Sequence, residues 1–586
     1  MNDLLSSTED RGRDGTPFPG RFAGTRGKVL VALACAALVI AVVGCTTALL
    51  RQDTTYETRH LEQGWSVTDR QSYYHTAQGT EIIPYSWFLY LEKPGSTELF
   101  RSNENVAGYG LFPDRNLLGN PDGLPVGVTR DVDGETGRAY FGLTCAACHT
   151  GQINYQGASV RIDGGSGRLD LTNFVKDMFL ALGFTMLDAE KFDRFARNVL
   201  RDGYSADSKA ALHDQVDEKL KTVVHEDLVA LRLHLYPVQD GFGRQDALGR
   251  GGNNGFTKIG KDSNLQVSDA PVSYPAVWDA IGWDWVQYNS SIRQPLARNI
   301  GEVLGVGGIA VLHGDRKDLY KSSVNVLALD RIETLLHTLR APAWPGDVLG
   351  PIDQEKARRG RALFQENCVR CHEPQWDKAS GDYISTVIPL ETIGTDPRQA
   401  LNIAKHMIDP GDLREPGDPE MIPATEALRR ITENVAQRKL RELGVPQDVQ
   451  DRMRAGKPNL WGYRNADGSP GTVGYRAHIL TAIWATPPYL HNGSVPNMYE
   501  LLSPLKDRSP VFYTGNLEYD PVKMGYRSGE FPGAFLFDTS LAGNSNAGHE
   551  FRDAPAGTPG VVGRALGSDE RLAIIEFLKT RVRPGM

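Results

Sequence analysis

The chain has 586 residues, a formal net charge of −8 and 40% hydrophobic residues, with acids and bases mixed along it. That length is ample for a sizeable core and too long for one ordinary domain, so two domains are expected. A nucleic-acid binder needs a clustered basic face, and the charge pattern offers none; four of the six cysteines fall into two C-x-x-C pairs, which argues against a disulfide framework.

Residues 1–28 are rich in Ser, Thr, Gly, Arg and Asp, the composition of a disordered tail. Residues 29–50 carry no charge, and about 22 helical residues span roughly 33 Å, enough for a bilayer. Arg21, Arg26 and Lys28 precede this stretch, which places the tail in the cytoplasm and the bulk of the chain outside. Residues 42–45 (VVGC) also resemble a lipobox, in which Cys45 would be acylated; Cys35 lies in the same stretch. A cleaved secretory signal is the third reading. A membrane-tethered, extracytoplasmic protein, periplasmic or on the cell surface, is the expectation by either of the first two routes.

From about residue 60 the chain mixes helical patterns with long Gly/Pro/Asn loops, such as 120–123 (NPDG). Apolar residues at three- and four-residue spacing predict helices near 170–200 and 207–235, and further helices at 326–340, 354–367, 424–442 and 568–581. No strand-turn-strand series stands out. The run 342–346 (PAWPG) predicts a boundary between an N-terminal domain, 60–345, and a C-terminal one, 346–586. In the helix before Cys368, Gly360 would permit close packing and Phe364 would fill the core. The closing helix is predicted to start with Ser568 as its N-cap, with Asp569 and Glu570 in its first turn.

Cys145-Ala-Ala-Cys148-His149 and Cys368-Val-Arg-Cys371-His372 are both C-x-x-C-H, the pattern of covalent haem attachment. Two thiols on one turn can add to the two vinyl groups of one porphyrin, and the following imidazole can reach the iron. Zinc would leave both histidines unexplained. The motifs call for two covalently bound haem c groups, with His149 and His372 as iron ligands, and for a mainly α fold with extensive irregular loops built as two cytochrome c-like haem domains. Two strong axial ligands make a haem an electron carrier, whereas an open side lets it bind oxygen or peroxide. For the second haem the candidate sixth ligand is His549, in the loop 543–550 (GNSNAGHE) just before the closing helix, with His491 and Met498 as fallbacks. For the first no sixth ligand stands out. Phe256, Tyr274, Trp278, Trp283, Trp285 and Tyr288 crowd one stretch and read either as core or as an apolar pocket over an open iron.

These motifs, together with 484–496 (WATPPYLHNGSVP), resemble the bacterial di-haem cytochrome c peroxidase superfamily. The stretches 142–152 (GLTCAACHTGQ), 120–127 (NPDGLPVG), 298–306 (RNIGEVLGV) and 548–550 (GHE) look most like its rubber oxygenase (RoxA-type) and fatty-acid dioxygenase branch. The resemblance covers residues 70–586. In peroxidases of the superfamily it implies a His/Met second haem that feeds electrons to the first. In the oxygenase branch it implies a bis-His second haem and a first haem that binds oxygen under apolar and aromatic residues. Trp484 could then relay electrons between the haems, or simply pack. The resemblance implies a haem-dependent oxidoreductase whose first haem activates oxygen or hydrogen peroxide, with Phe256, Tyr274, Trp278 and Trp484 as candidate catalytic residues. Expected partners are an apolar unsaturated substrate or a small redox protein. A peroxidase proper and a pure electron-transfer cytochrome are the alternatives.

Overall fold

The computed structural model describes residues 58–582 apart from 117–118, 279 and 466–468; the predicted tail, anchor and Cys45 lie outside the described residues. Helices with irregular connections make up the fold. Helices Gln354–Asn367 and Ala424–Glu442 coincide with the predicted ranges, and Ala206–Arg232 and Val326–Leu336 fall within a few residues of theirs. The stretch 170–200 is divided into Leu171–Leu187 and Ala189–Leu200. Asp188 between them is extended, and its carboxylate accepts the amides of Glu190 and Lys191, so it ends one helix and caps the next.

Two small sheets were not legible as strands in the sequence. Val128–Val132 pairs antiparallel with Ala139–Leu143, and Thr150–Tyr155 with Ala158–Asp163. Ile83–Pro84 joins the first sheet, and Thr58–His60 joins the second in parallel. The second hairpin turns on Gln156 and Gly157, with φ of 48° and 85°. Two successive left-handed residues match the twist of the strands, but Gln at the first position carries no obvious turn signal. The first C-x-x-C-H motif hangs between the two hairpins, one residue after Leu143 and directly before Thr150.

Helix Gln354–Asn367 crosses the closing helix Ser568–Lys579 through Ala357, Gly360 and Phe364. A Cβ on Gly360 would stand 1.9 Å from the Ala573 carbonyl oxygen and 2.9 Å from Phe577 Cβ. Phe364 is fully buried, its ring 5.1 Å from that of Phe577. The N-cap of the closing helix is Gly567 and not Ser568: Glu570 reaches back to accept the Gly567 amide at 2.8 Å, which leaves Ser568 as the first helical residue. The buried core around this crossing also takes in Leu61, Trp65 and Tyr73 from the N-terminal part. A separate cluster forms around Phe88, Phe141, Phe174 and Phe195, and another around Ile300, Ile431 and Val435. No described helix is long and apolar enough to cross a membrane.

The crossing gives a first prediction. Gly→Ala inside a helix ordinarily gains up to about 1 kcal/mol. At Gly360 the added methyl collides with backbone, so Gly360→Ala should instead lose about 1–3 kcal/mol or more, read as a lowered urea midpoint at unchanged slope. A gain in stability would mean the helices do not meet here.

Candidate functional site

The two C-x-x-C-H turns are built alike. In the first, the Thr144 hydroxyl accepts the Ala146 amide and the His149 amide donates to Cys145 O at 2.9 Å. Gly127, at φ +85°, lies so close that a Cβ would be 2.2 Å from Ala147 Cα. In the second, the His372 amide donates to Cys368 O at 3.0 Å. His149 Nδ1 lies 2.7 Å from Pro275 O, and His372 Nδ1 lies 2.7 Å from His478 O. A carbonyl only accepts, so in each ring Nδ1 carries the proton and Nε2 carries the lone pair. That is the tautomer a metal-ligating imidazole needs, with the second nitrogen anchoring the ring. Burial pulls His149 down to about 4 and His372 below the usual histidine range, so both rings are neutral at neutral pH. Burial also pushes the Cys145, Cys148 and Cys368 thiols up to about 12. The four motif cysteines are free of disulfides.

All six motif residues line one cavity of about 1100 Å³, at the upper limit of a site for a single drug-sized ligand. Paired thiols and a neutral imidazole facing the same space, twice over, fit a covalently attached porphyrin at each turn.

His549 faces His372. Its ring centroid is 6.2 Å from that of His372. Two imidazoles on one metal stand roughly 6.3 Å apart, given metal–nitrogen bonds of about 2.0 Å. Burial, with repulsion from His372 and Arg508, takes its pKa down to about 3, which leaves a neutral ring. Its backbone is left-handed at φ +48°, an uncommon state that tends to mark functional positions.

The loop carrying His549 is held by Arg508 and by Asn492 and Ser494 of the 484–496 stretch. Buried Arg508 donates to the carbonyls of Asn546, Gly548 and His549, the last two at 2.9 and 3.0 Å. Asn492 Nδ2 donates to Gly543 O and Ser545 O, and the Ser494 hydroxyl donates to Ser545 O. The 491–494 (HNGS) stretch therefore clamps the 543–549 loop. The loop's glycines pack closely against backbone: a Cβ on Gly548 would be 2.5 Å from Ile393 O, and one on Gly543 would be 2.0 Å from Asp269 O. Glu550, next to His549, accepts the Leu505 amide and faces Arg552 at 3.5 Å. Arg508→Gln should therefore loosen His549 without touching it. The expected result is a mixed-spin second iron in a folded protein, read in the visible spectrum; a wild-type spectrum would show that the clamp is dispensable.

His491 stacks on Tyr475 at 4.0 Å and has no ring contact with His372. Met498 is buried on the cavity wall. Of the aromatic candidates, Tyr274 and Trp278 line the cavity, as do Trp283 and Tyr288. Phe256 and Trp484 are not among the lining residues. Phe256 packs against His406 in another core cluster. Trp484 is fully buried, edge-on to Trp344 at 5.5 Å; its volume serves the core. A charged group on the cavity wall was missed. Arg298 pairs with Glu333 at 2.6 Å, and Glu302, one turn on, lines the cavity and is exposed to it. Desolvation raises the Glu302 pKa against the pull of Arg298. Both residues lie in the 298–306 (RNIGEVLGV) stretch that carries the resemblance, on the otherwise apolar helix Pro295–Gly305.

Residues 474–513 match the family model described as RoxA-like, cytochrome c-like; Tyr475, His478, Asn492, Ser494 and Arg508 all fall within them. The chain is 37% identical over 570 residues to the uncharacterized protein y4iJ of Sinorhizobium fredii, covering 89% of this chain and 92% of that one. It is 28% identical over 324 residues to the uncharacterized protein y4iM of the same organism, covering 52% and 64%. The chain therefore belongs to the family of y4iJ, and its RoxA-like, cytochrome c-like segment implies covalently bound haem c and a haem-dependent redox role.

Proposed function

We propose that the chain is an extracytoplasmic di-haem oxidoreductase, held at the membrane by its N-terminal segment or by a lipid on Cys45. Cys145, Cys148 and His149 would hold a first haem that is open to oxygen or hydrogen peroxide. Cys368, Cys371, His372 and His549 would hold a second that passes electrons. The observation that carries this reading is the matched anchoring of His149 and His372, each with a proton on Nδ1 and a free Nε2 in one cavity, with His549 set against His372 alone.

When bound, the haems supply dioxygen or peroxide activation and one-electron transfer. The chain supplies the rest. Pro275 and His478 carbonyls fix the imidazoles and strengthen them as ligands. Tyr274, its ring 6.3 Å from that of His149, would wall the first site, and Trp278 and Trp283 line the same cavity; such an apolar lining excludes water and suits an apolar unsaturated substrate. The Glu302 carboxyl, whose pKa desolvation raises, would be the cavity-wall group able to hold or give up a proton at its Oε atoms.

The dithionite-reduced protein should take up one carbon monoxide per chain, at the first haem only. Oxygen uptake on adding a polyunsaturated hydrocarbon supports the oxygenase reading, and peroxide-dependent oxidation of a reduced small redox protein supports the peroxidase. No carbon monoxide uptake would leave only a pure electron-transfer cytochrome.

A further inference from the structure

Three aromatic rings lead from the cavity wall to the surface. Trp283 is buried and lines the cavity. The Tyr383 ring lies 5.8 Å from it, centroid to centroid, and the Trp376 ring lies 4.8 Å beyond that. Both separations are those of directly packed aromatic pairs. Trp376 is 42% exposed, so the series ends in solvent.

The backbone sets this spacing. Tyr383 is the register partner of Trp376 in the antiparallel pair Trp376–Asp377 and Asp382–Tyr383, and it also bridges to Trp283. The Asp284 amide donates to Tyr383 O at 3.1 Å, and the Ser385 amide and hydroxyl donate to Asp284 Oδ1 at 2.9 and 2.6 Å. Lys457 donates to Trp283 O at 2.8 Å and pairs with buried Asp382 at 2.9 Å, so one ammonium ties the segment of the first ring to that of the second. A cross-strand Trp–Tyr pair steadies a hairpin by itself, but that need does not extend the series inward to a cavity wall.

Charge gives the series a direction. The buried Arg476 guanidinium stands 4.2 Å from the Trp283 ring centroid. A cation over a ring is attracted to it while the ring is neutral and opposes the positive charge that the ring gains on losing an electron. Among the described residues no cation lies over the Trp376 ring. An electron vacancy on Trp283 is therefore driven outward.

We propose that Trp376, Tyr383 and Trp283 pass electrons inward one at a time, so that hydrogen peroxide in the cavity oxidises phenols too bulky to enter it. The inference rests on the reading of a haem that takes peroxide. Each phenol gives one electron to Trp376 and releases one proton, leaving as a phenoxyl radical. Tyr383 loses its phenolic proton when oxidised and regains one when Trp376 refills it. Two electrons and two protons, from two phenols, turn one peroxide into two waters.

The test uses the full-length haem-loaded protein, hydrogen peroxide and a phenol coupled to high-molecular-weight dextran. Oxidation of the dextran-phenol should fall at least about tenfold in both Trp376→Phe and Tyr383→Phe, because phenylalanine keeps the packing and is not oxidised. The haem spectrum should respond to peroxide at the wild-type rate in both variants, which shows the cavity intact. Without phenol, freeze-quenched wild type should show a free-radical resonance. A nitroso spin trap should then add to Trp376, located by peptide mass spectrometry, in wild type and not in Tyr383→Phe. Full turnover of the dextran-phenol by both variants overturns the route and leaves the peroxide reading standing. So does a wild type whose haem responds to peroxide but which leaves the dextran-phenol untouched. Loss in Trp376→Phe alone, with full turnover and trapping in Tyr383→Phe, also overturns it and would make Trp376 a contact for the phenol. A wild-type haem spectrum indifferent to peroxide overturns the peroxide reading itself, and the route with it.

Discussion

Changing Cys368 and Cys371 together to alanine should leave one haem per chain, instead of two, after acid–acetone extraction. Thioether bonds survive that treatment and axial ligation does not. His372 and His549 would still face each other across the cavity, so a haem could bind there in the cell, but only by coordination and burial, and the acid would release it. The pigment retained should therefore fall by half. The first motif hangs between two hairpins in another part of the chain, so Cys145 and Cys148 should hold their haem as before. Two haems retained on the double mutant would refute the second attachment site; loss of both would mean that the second site is needed for the first to mature.

His549→Ala should open the second iron. In wild type a second imidazole makes that iron low-spin and closes it to added ligands. With alanine, a high-spin signal should appear and the reduced protein should bind two carbon monoxide molecules per chain instead of one. His491→Ala should do neither, because its ring is stacked on Tyr475 at 4.0 Å and away from His372. The loop itself should survive, since Arg508, Asn492 and Ser494 hold it through backbone carbonyls that the mutation leaves in place. If His491→Ala opens the iron and His549→Ala changes nothing, the ligand assignment is wrong, and the case for the oxygenase-like wiring weakens with it.

Much of this arrangement could be read from the residues, for identifiable reasons. Helices 354–367 and 424–442 announce themselves through apolar spacing, and Gly360 and Phe364 through their place on one face. The 543–550 loop was placed near the second motif because it immediately precedes the closing helix. The misses share one physical character, in that they depend on contacts between distant segments. Arg508 looks like any surface arginine until the fold brings three carbonyls to it across about 40 residues. Pro275 and His478 act through main-chain oxygens, which no side-chain pattern reveals. Glu302 lies in the 298–306 stretch, but its place on the cavity wall emerges only in the fold. Trp484, which the motif leaves open between relay and packing, is fully buried edge-on to Trp344. The strands around Cys145 were hidden by their shortness and by a hairpin turn with Gln156 where Asn is usual.

The central claim is that one haem is open and the other is closed by two histidines. Low-temperature electron paramagnetic resonance of the oxidised protein as purified, with spins counted against haem content, tests it most directly. The expected spectrum holds one high-spin ferric centre and one low-spin centre of bis-imidazole type per chain, and only the high-spin signal should respond when hydrogen peroxide is added. Two low-spin centres, both indifferent to peroxide, would contradict the account and leave an electron-transfer cytochrome in its place.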